Sequence, residues 1–111
     1  MTLHALVRVV IVLMLVLGPL SDLASSNPID SGCTFEGVFL AGKVQVVEHF
    51  PDFRVQIVTS FPDLKVQRVD HFPDDCGQWQ FVEHFPDFKV QFVEPFGDFK
   101  IQFVDHFPGL N

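Results

Sequence analysis

From residue 43 to residue 110, apolar and polar positions recur with a period of 11 residues. Six copies lie in register at 43–53, 54–64, 65–75, 78–88, 89–99 and 100–110, with Cys76-Gly77 inserted between the third and the fourth. The consensus is K-V-Q-x-V-[ED]-H-F-P-D-F. Position eight is Phe in every copy: Phe50, Phe61, Phe72, Phe85, Phe96 and Phe107.

An 11-residue period also suits a right-handed helical supercoil. Proline excludes that reading, because Pro51, Pro62, Pro73, Pro86 and Pro108 at position nine and Pro95 at position seven would break a helix in every copy. Each copy opens instead on β-branched and aromatic residues, as in Lys43-Val44-Gln45-Val46-Val47-Glu48, which predicts a strand of about six residues followed by a turn of about five. Val44 and Val46 would face one way, Gln45 and Val47 the other. The glutamines at position three (Gln45, Gln56, Gln67, Gln80, Gln91, Gln102) then fall in partly buried places. They would bond one another or backbone groups, most simply as a ladder between copies. In the turn, the residue before proline favours extended backbone, so each Phe is expected to fold back under the strands while the adjacent Asp stays exposed at the bend.

A coarser period splits the array into halves 43–75 and 78–110. Position seven reads His49, Ser60, His71 and then His84, Pro95, His106; position six reads Glu48, Thr59, Asp70 and then Glu83, Glu94, Asp105. Position four differs between the halves, with Val46, Ile57 and Arg68 against Phe81, Phe92 and Phe103. Large groups of one half would fill spaces left by small groups of the other, with the halves packed together. The whole reads as an all-β domain of six short strands in two three-repeat halves.

The flanking chain is different in kind. Arg8 precedes an unbroken apolar run from Val9 to Leu17 and a Gly18-Pro19 break, and Ala24-Ser25-Ser26 suits a signal peptidase. Residues 1–26 therefore read as a signal peptide cleaved before Asn27, the alternative being an uncleaved anchor. Residues 27–42 read as a leader and degenerate cap, and 43–111 as the repeat domain. No lipobox precedes Cys33. Export to an oxidising compartment predicts a Cys33–Cys76 disulfide, the alternative being two free thiols. The localisation is secreted or periplasmic, with no stable membrane span after cleavage.

The run Gln78-Trp79-Gln80-Phe81-Val82-Glu83-His84-Phe85-Pro86-Asp87-Phe88, its neighbours and the terminal His106-Phe107-Pro108-Gly109-Leu110 resemble the septoil-knot family of small bacterial repeat proteins. The resemblance covers about residues 38–110, including an insertion just before Trp79. It implies a chain wound into a deep seven-crossing torus knot, an exception to the rule that folds are unknotted. It carries over no enzymatic activity. Position seven is commonly Ser in such copies, so the histidines depart from the pattern.

Charge and chemistry narrow the function. The net charge is −7 and removing residues 1–26 leaves it unchanged, which argues against nucleic acid as a partner. The acid-His-Phe-Pro-Asp turns place His49, His71, His84 and His106 beside carboxylates, so a divalent-metal site is the alternative reading if copies converge. Solvated turns are the simpler one. Ser60 is the array's sole turn serine and has no G-x-S-x-G elbow, which leaves a small hydrolase as the weakest reading. No phosphate loop is present and no cofactor is implied. The sequence thus predicts a rigid, monomeric, non-enzymatic structural or binding module of unknown ligand, meeting another protein through a strand edge if it has a partner.

Overall fold

A computed structural model describes residues 27–110; the signal peptide predicted over residues 1–26 lies outside them. The described residues form eight strands and no helix: β1 Thr34–Phe35, β2 Val38–Phe39, β3 Gly42–Val46, β4 Phe53–Ile57, β5 Leu64–Arg68, β6 Gln78–Phe81, β7 Phe88–Phe92 and β8 Phe99–Phe103. The protein is all-β. β1 and β2 make a small antiparallel hairpin. The other six, one per copy, close into a barrel in the order β3-β6-β5-β8-β4-β7, with every pair parallel.

The register explains the 11-residue period. Each position-two residue stands opposite a position-four residue of the next strand: Val44 faces Phe81, Trp79 faces Arg68, Val66 faces Phe103, Ile101 faces Ile57, Val55 faces Phe92 and Val90 faces Val46. The slip is two residues at each of six pairings, a shear of 12. With residues about 3.3 Å apart along a strand and strands about 4.8 Å apart, that slip tilts the strands by about 54°, beyond the usual barrel range. A consequence is that Val46, the end of β3, and Phe53, the start of β4, both pair with Val90 of β7. Ile57 and Leu64 share Ile101 in the same way. The chain therefore has only to step sideways over one strand, about 10 Å, to begin its next strand. Parallel strands usually need a crossover of a dozen residues or more. Here positions five to ten suffice.

Three such steps complete a circuit. Arg68 pairs with Trp79, whose other partner is Gly42, so the place where the fourth strand would begin is already taken by the start of β3. The Cys76-Gly77 insertion moves the chain across by one strand, and the second three copies thread between the first three. The halves interleave in one barrel and do not pack face to face as expected. Their contrast at position four also takes another form: Phe81, Phe103 and Phe92 alternate with Arg68, Ile57 and Val46 around one mouth, and the Arg68 guanidinium lies 4.1 Å from the centre of the Phe103 ring.

Five of the six barrel strands begin one residue before the predicted start, at position eleven, while β6 begins at position one with Gln78; all six end at position four. Positions eleven, two and four face inward and form three stacked rings. The middle ring of Val44, Val55, Val66, Trp79, Val90 and Ile101 is 0 % exposed throughout, each residue contributing about 1.5–3 kcal/mol by burial. The ring below it holds Phe53, Leu64, Phe88 and Phe99, with Gly42 at the start of β3 and Gly77 just before the adjacent β6. At Gly77 a Cβ would collide with backbone of Lys65 and Gly109, and φ is +83°. The N-terminal segment closes this end. Phe35 packs on Phe53 and Phe99 with ring centres 5.4 and 5.3 Å away, and the Leu40 carbonyl accepts the Trp79 Nε1–H at 3.1 Å and the Gly77 N–H at 3.0 Å. Cys33 of this segment is joined to Cys76.

Candidate functional site

Each connecting turn lies across the outside of the strand it steps over. In the first, Val47 N–H donates to the Val90 carbonyl at 2.8 Å and Asp52 N–H to the Lys89 carbonyl at 2.9 Å. Two side chains add to these bonds. Gln91 Nε2 donates to the Glu48 carbonyl at 3.0 Å, and Lys89 N–H donates to Asp52 Oδ2 at 2.8 Å.

The repeat reproduces this clasp. Gln45, Gln67 and Gln102 donate to the carbonyls of Glu83, Asp105 and Thr59, so these glutamines fasten the turns and form no ladder with one another. Their amides lie under a turn, where the position-six carbonyl is the nearest acceptor. Asp63, Asp87 and Asp98 accept the backbone N–H of Lys100, Lys43 and Arg54 at 2.8 Å. In the sixth copy Gly109 replaces the aspartate, and its own carbonyl accepts the Lys65 N–H at 2.9 Å.

The turn phenylalanines overturn their expected burial. Phe50, Phe61, Phe72, Phe85, Phe96 and Phe107 are 82–92 % exposed. All six have left-handed backbone, φ +54° to +69°, where extended geometry before proline was expected. The cause is geometric: six residues have about twice the reach that a 10 Å step requires, so the turn must reverse on itself. That reversal falls at position eight and throws its side chain outward. Left-handed backbone costs a bulky residue about 1 kcal/mol or more, and the exposed ring recovers nothing by burial.

Replacing Phe85 with Asn, which tolerates this backbone, is therefore expected to leave stability unchanged or raise it by up to about 1 kcal/mol. Asp87→Ala should cost about 1.5–3 kcal/mol, because it strips a carboxylate from a strand N–H. Urea denaturation of the two variants checks the order, which is the reverse of what apolar character alone suggests.

The closed barrel presents no open edge among its six strands, so the strand-edge contact predicted from the sequence is not available there. The turns lie over the outside of the barrel and carry most of its exposed large apolar side chains. Around the barrel the tips read His84-Phe85, His71-Phe72, His106-Phe107, Ser60-Phe61, Pro95-Phe96 and His49-Phe50, following the strands they cover. Interleaving thus gathers the four histidines into one contiguous arc. Each lies against its own phenylalanine, ring centres 6.3–6.4 Å apart. Among the described residues no three or more His, Cys, Asp or Glu come together in a way that could hold a metal ion. No described helix is long and apolar enough to cross a membrane.

The sequence missed the tips because an apolar residue beside proline reads as buried. The signal that could have found them is the glycine at position eleven before copies one and four, which assigns position eleven to the barrel and leaves position eight outside it.

No curated protein matches the chain. The family model for the 7(1) septoil knot domain matches residues 37–111, which takes in every barrel strand and the second strand of the hairpin. By that match and by its interleaved barrel of 11-residue copies, the chain belongs to the septoil-knot family.

Proposed function

We propose that this protein is an exported, non-catalytic binding module that offers its six turn phenylalanines to a protein partner. The observation that carries the reading is the pairing of near-complete exposure with left-handed backbone at Phe50, Phe61, Phe72, Phe85, Phe96 and Phe107. A large aromatic at such a place weakens the fold, and contiguous or repeated exposed apolar groups mark interaction surfaces. Carboxylates flank four of the six tips at both positions six and ten, as Glu48 and Asp52 flank Phe50, and the other two at one of them, which disfavours an anionic lipid surface and suits a protein.

The barrel supplies rigidity. With every strand covered by a turn and the lower end plugged, the tips sit on a scaffold that pays little ordering entropy on binding. The Cys33–Cys76 bond suits an oxidising compartment. The double circuit of the chain supports the deeply knotted path that the family resemblance implies.

A photo-reactive phenylalanine analogue placed at position 50, 85 or 107 of the full chain in its producing cell is expected to give a discrete crosslinked protein, absent when the analogue replaces exposed Lys43. Asn at the other tips should weaken that product. Failure to crosslink from any of the six tips would remove the proposal.

A further inference from the structure

The fifth turn differs from the other five at position nine. It alone lacks proline at position nine, where Gly97 stands. A Cβ there would come within 2.9 Å of the Gln56 nitrogen and 3.1 Å of the Arg54 carbonyl oxygen, so this turn lies closer to the backbone of β4 than a proline-bearing turn could. The neighbouring turn around the barrel is the first. Between the two lies a groove of about 590 Å³, walled by Glu48, His49, Phe50, Asp52, Arg54 and Asp98.

Two of its carboxylates are held in place. Asp52 accepts the Lys89 N–H and Asp98 the Arg54 N–H, each at 2.8 Å, and a carboxylate has about four acceptor sites, so each can take a second donor without moving. Glu48 adds a third carboxylate, and the one guanidinium of Arg54 leaves two negative charges in excess when His49 is neutral. Phe50, 92 % exposed, offers an aromatic face at the same groove. Fixed carboxylates beside an open aromatic ring favour a cation with an apolar stem, by charge-assisted hydrogen bonds and by attraction of the cation to the ring.

We infer that the groove between the first and fifth turns receives an arginine or lysine side chain from a basic segment of the partner, its stem over Phe50 and its charged end among Glu48, Asp52 and Asp98. This rests on the turns being the binding surface, and it makes this groove the site of specificity, since no other turn carries a glycine at position nine.

The test is a nuclear magnetic resonance titration of the full chain, processed as its cell processes it, with a blocked hexa-arginine peptide; a hexa-glutamate peptide and neutral phosphatidylcholine vesicles serve as comparators. Shifts are expected at Glu48, Phe50, Gln91 and Asp98, weakening as salt rises. Glu48→Gln combined with Phe50→Ala should lower the peptide affinity by about tenfold with little change in melting temperature, whereas Phe72→Ala should leave it unchanged. Equal shifts at all six turns would overturn the assignment, as would binding to the vesicles without any response to the peptide. If the groove fails in either way while the tips still crosslink to a protein, the binding surface stands and only its ligand chemistry is wrong; loss of crosslinking from every tip removes both.

Discussion

Trp79→Ala is expected to lower the free energy of unfolding by about 3–5 kcal/mol, much of what a domain of this size possesses. Trp79 is the largest member of the fully buried middle ring. It stands on β6 two residues after Gly77 and opposite Gly42 of β3, so it occupies the sector where the ring below has no side chains. Its indole meets Phe88 and Phe81 edge-on, with centres 5.5 and 6.2 Å apart, and its Nε1–H holds the Leu40 carbonyl of the N-terminal plug at 3.1 Å. Alanine would leave a cavity walled by rings whose backbones are fixed by neighbours on both sides, and collapse into it is the less available for that. Trp79→Phe should recover most of the loss, retaining volume but not the bond to Leu40. Ile101→Val, in the same ring, should cost only about 0.5–1.5 kcal/mol. Chemical denaturation of the three variants gives the comparison, and a cost below that of Ile101→Val for Trp79→Ala would show that the plug, not the ring, holds this sector.

Much of this ring was legible in the sequence. The 11-residue period, the exclusion of helix by proline, the one strand per copy and the shared face of positions two and four all follow from local chemistry at residues such as Val44 and Pro51, although which face turns inward does not. What could not be read is which strand lies beside which. Val46 and Phe53 are seven positions apart in the chain, yet they meet through Val90, a residue of the other half. No local preference specifies that, because it is set by the shear of the closed barrel and by the fact that two circuits must share one circumference. The missed burial of position eleven has the same origin. Phe53 follows Pro51-Asp52 and so reads as the end of a turn, but the sideways step delivers it to the barrel interior, where it is 2 % exposed. Once position eleven is inside, position eight cannot also be, and the six exposed phenylalanines follow. The departures at the groove were visible as letters, Gly97 among prolines, but carried no meaning until the first and fifth turns were known to be neighbours.

Breaking the Cys33–Cys76 bond should cost about 4 kcal/mol, the loop-closure value for its sequence separation of 43 residues. The placement of the two cysteines makes the loss more than a matter of chain entropy. Cys76 belongs to the insertion where the chain passes from its first circuit to its second, and Cys33 to the segment that plugs the lower end. The bond ties the plug to the one turn that departs from the sideways step, beside Gly77, whose N–H also reaches the Leu40 carbonyl. Without it the plug is held by Leu40, Ile29 and the packing of Phe35, and its release would bare Phe53, Leu64, Phe88 and Phe99. The six parallel strands and their Asp and Gln clasps involve neither cysteine, so the barrel is expected to persist. The paired variant Cys33→Ala/Cys76→Ala should therefore unfold at a lower denaturant midpoint and bind an apolar dye at the exposed ring before it unfolds. Mass spectrometry of the purified protein should find no alkylation until a reductant is added and two modified thiols afterwards. Two reactive thiols in the untreated protein, or a double variant as stable as its parent, would show that the plug seats itself by packing alone.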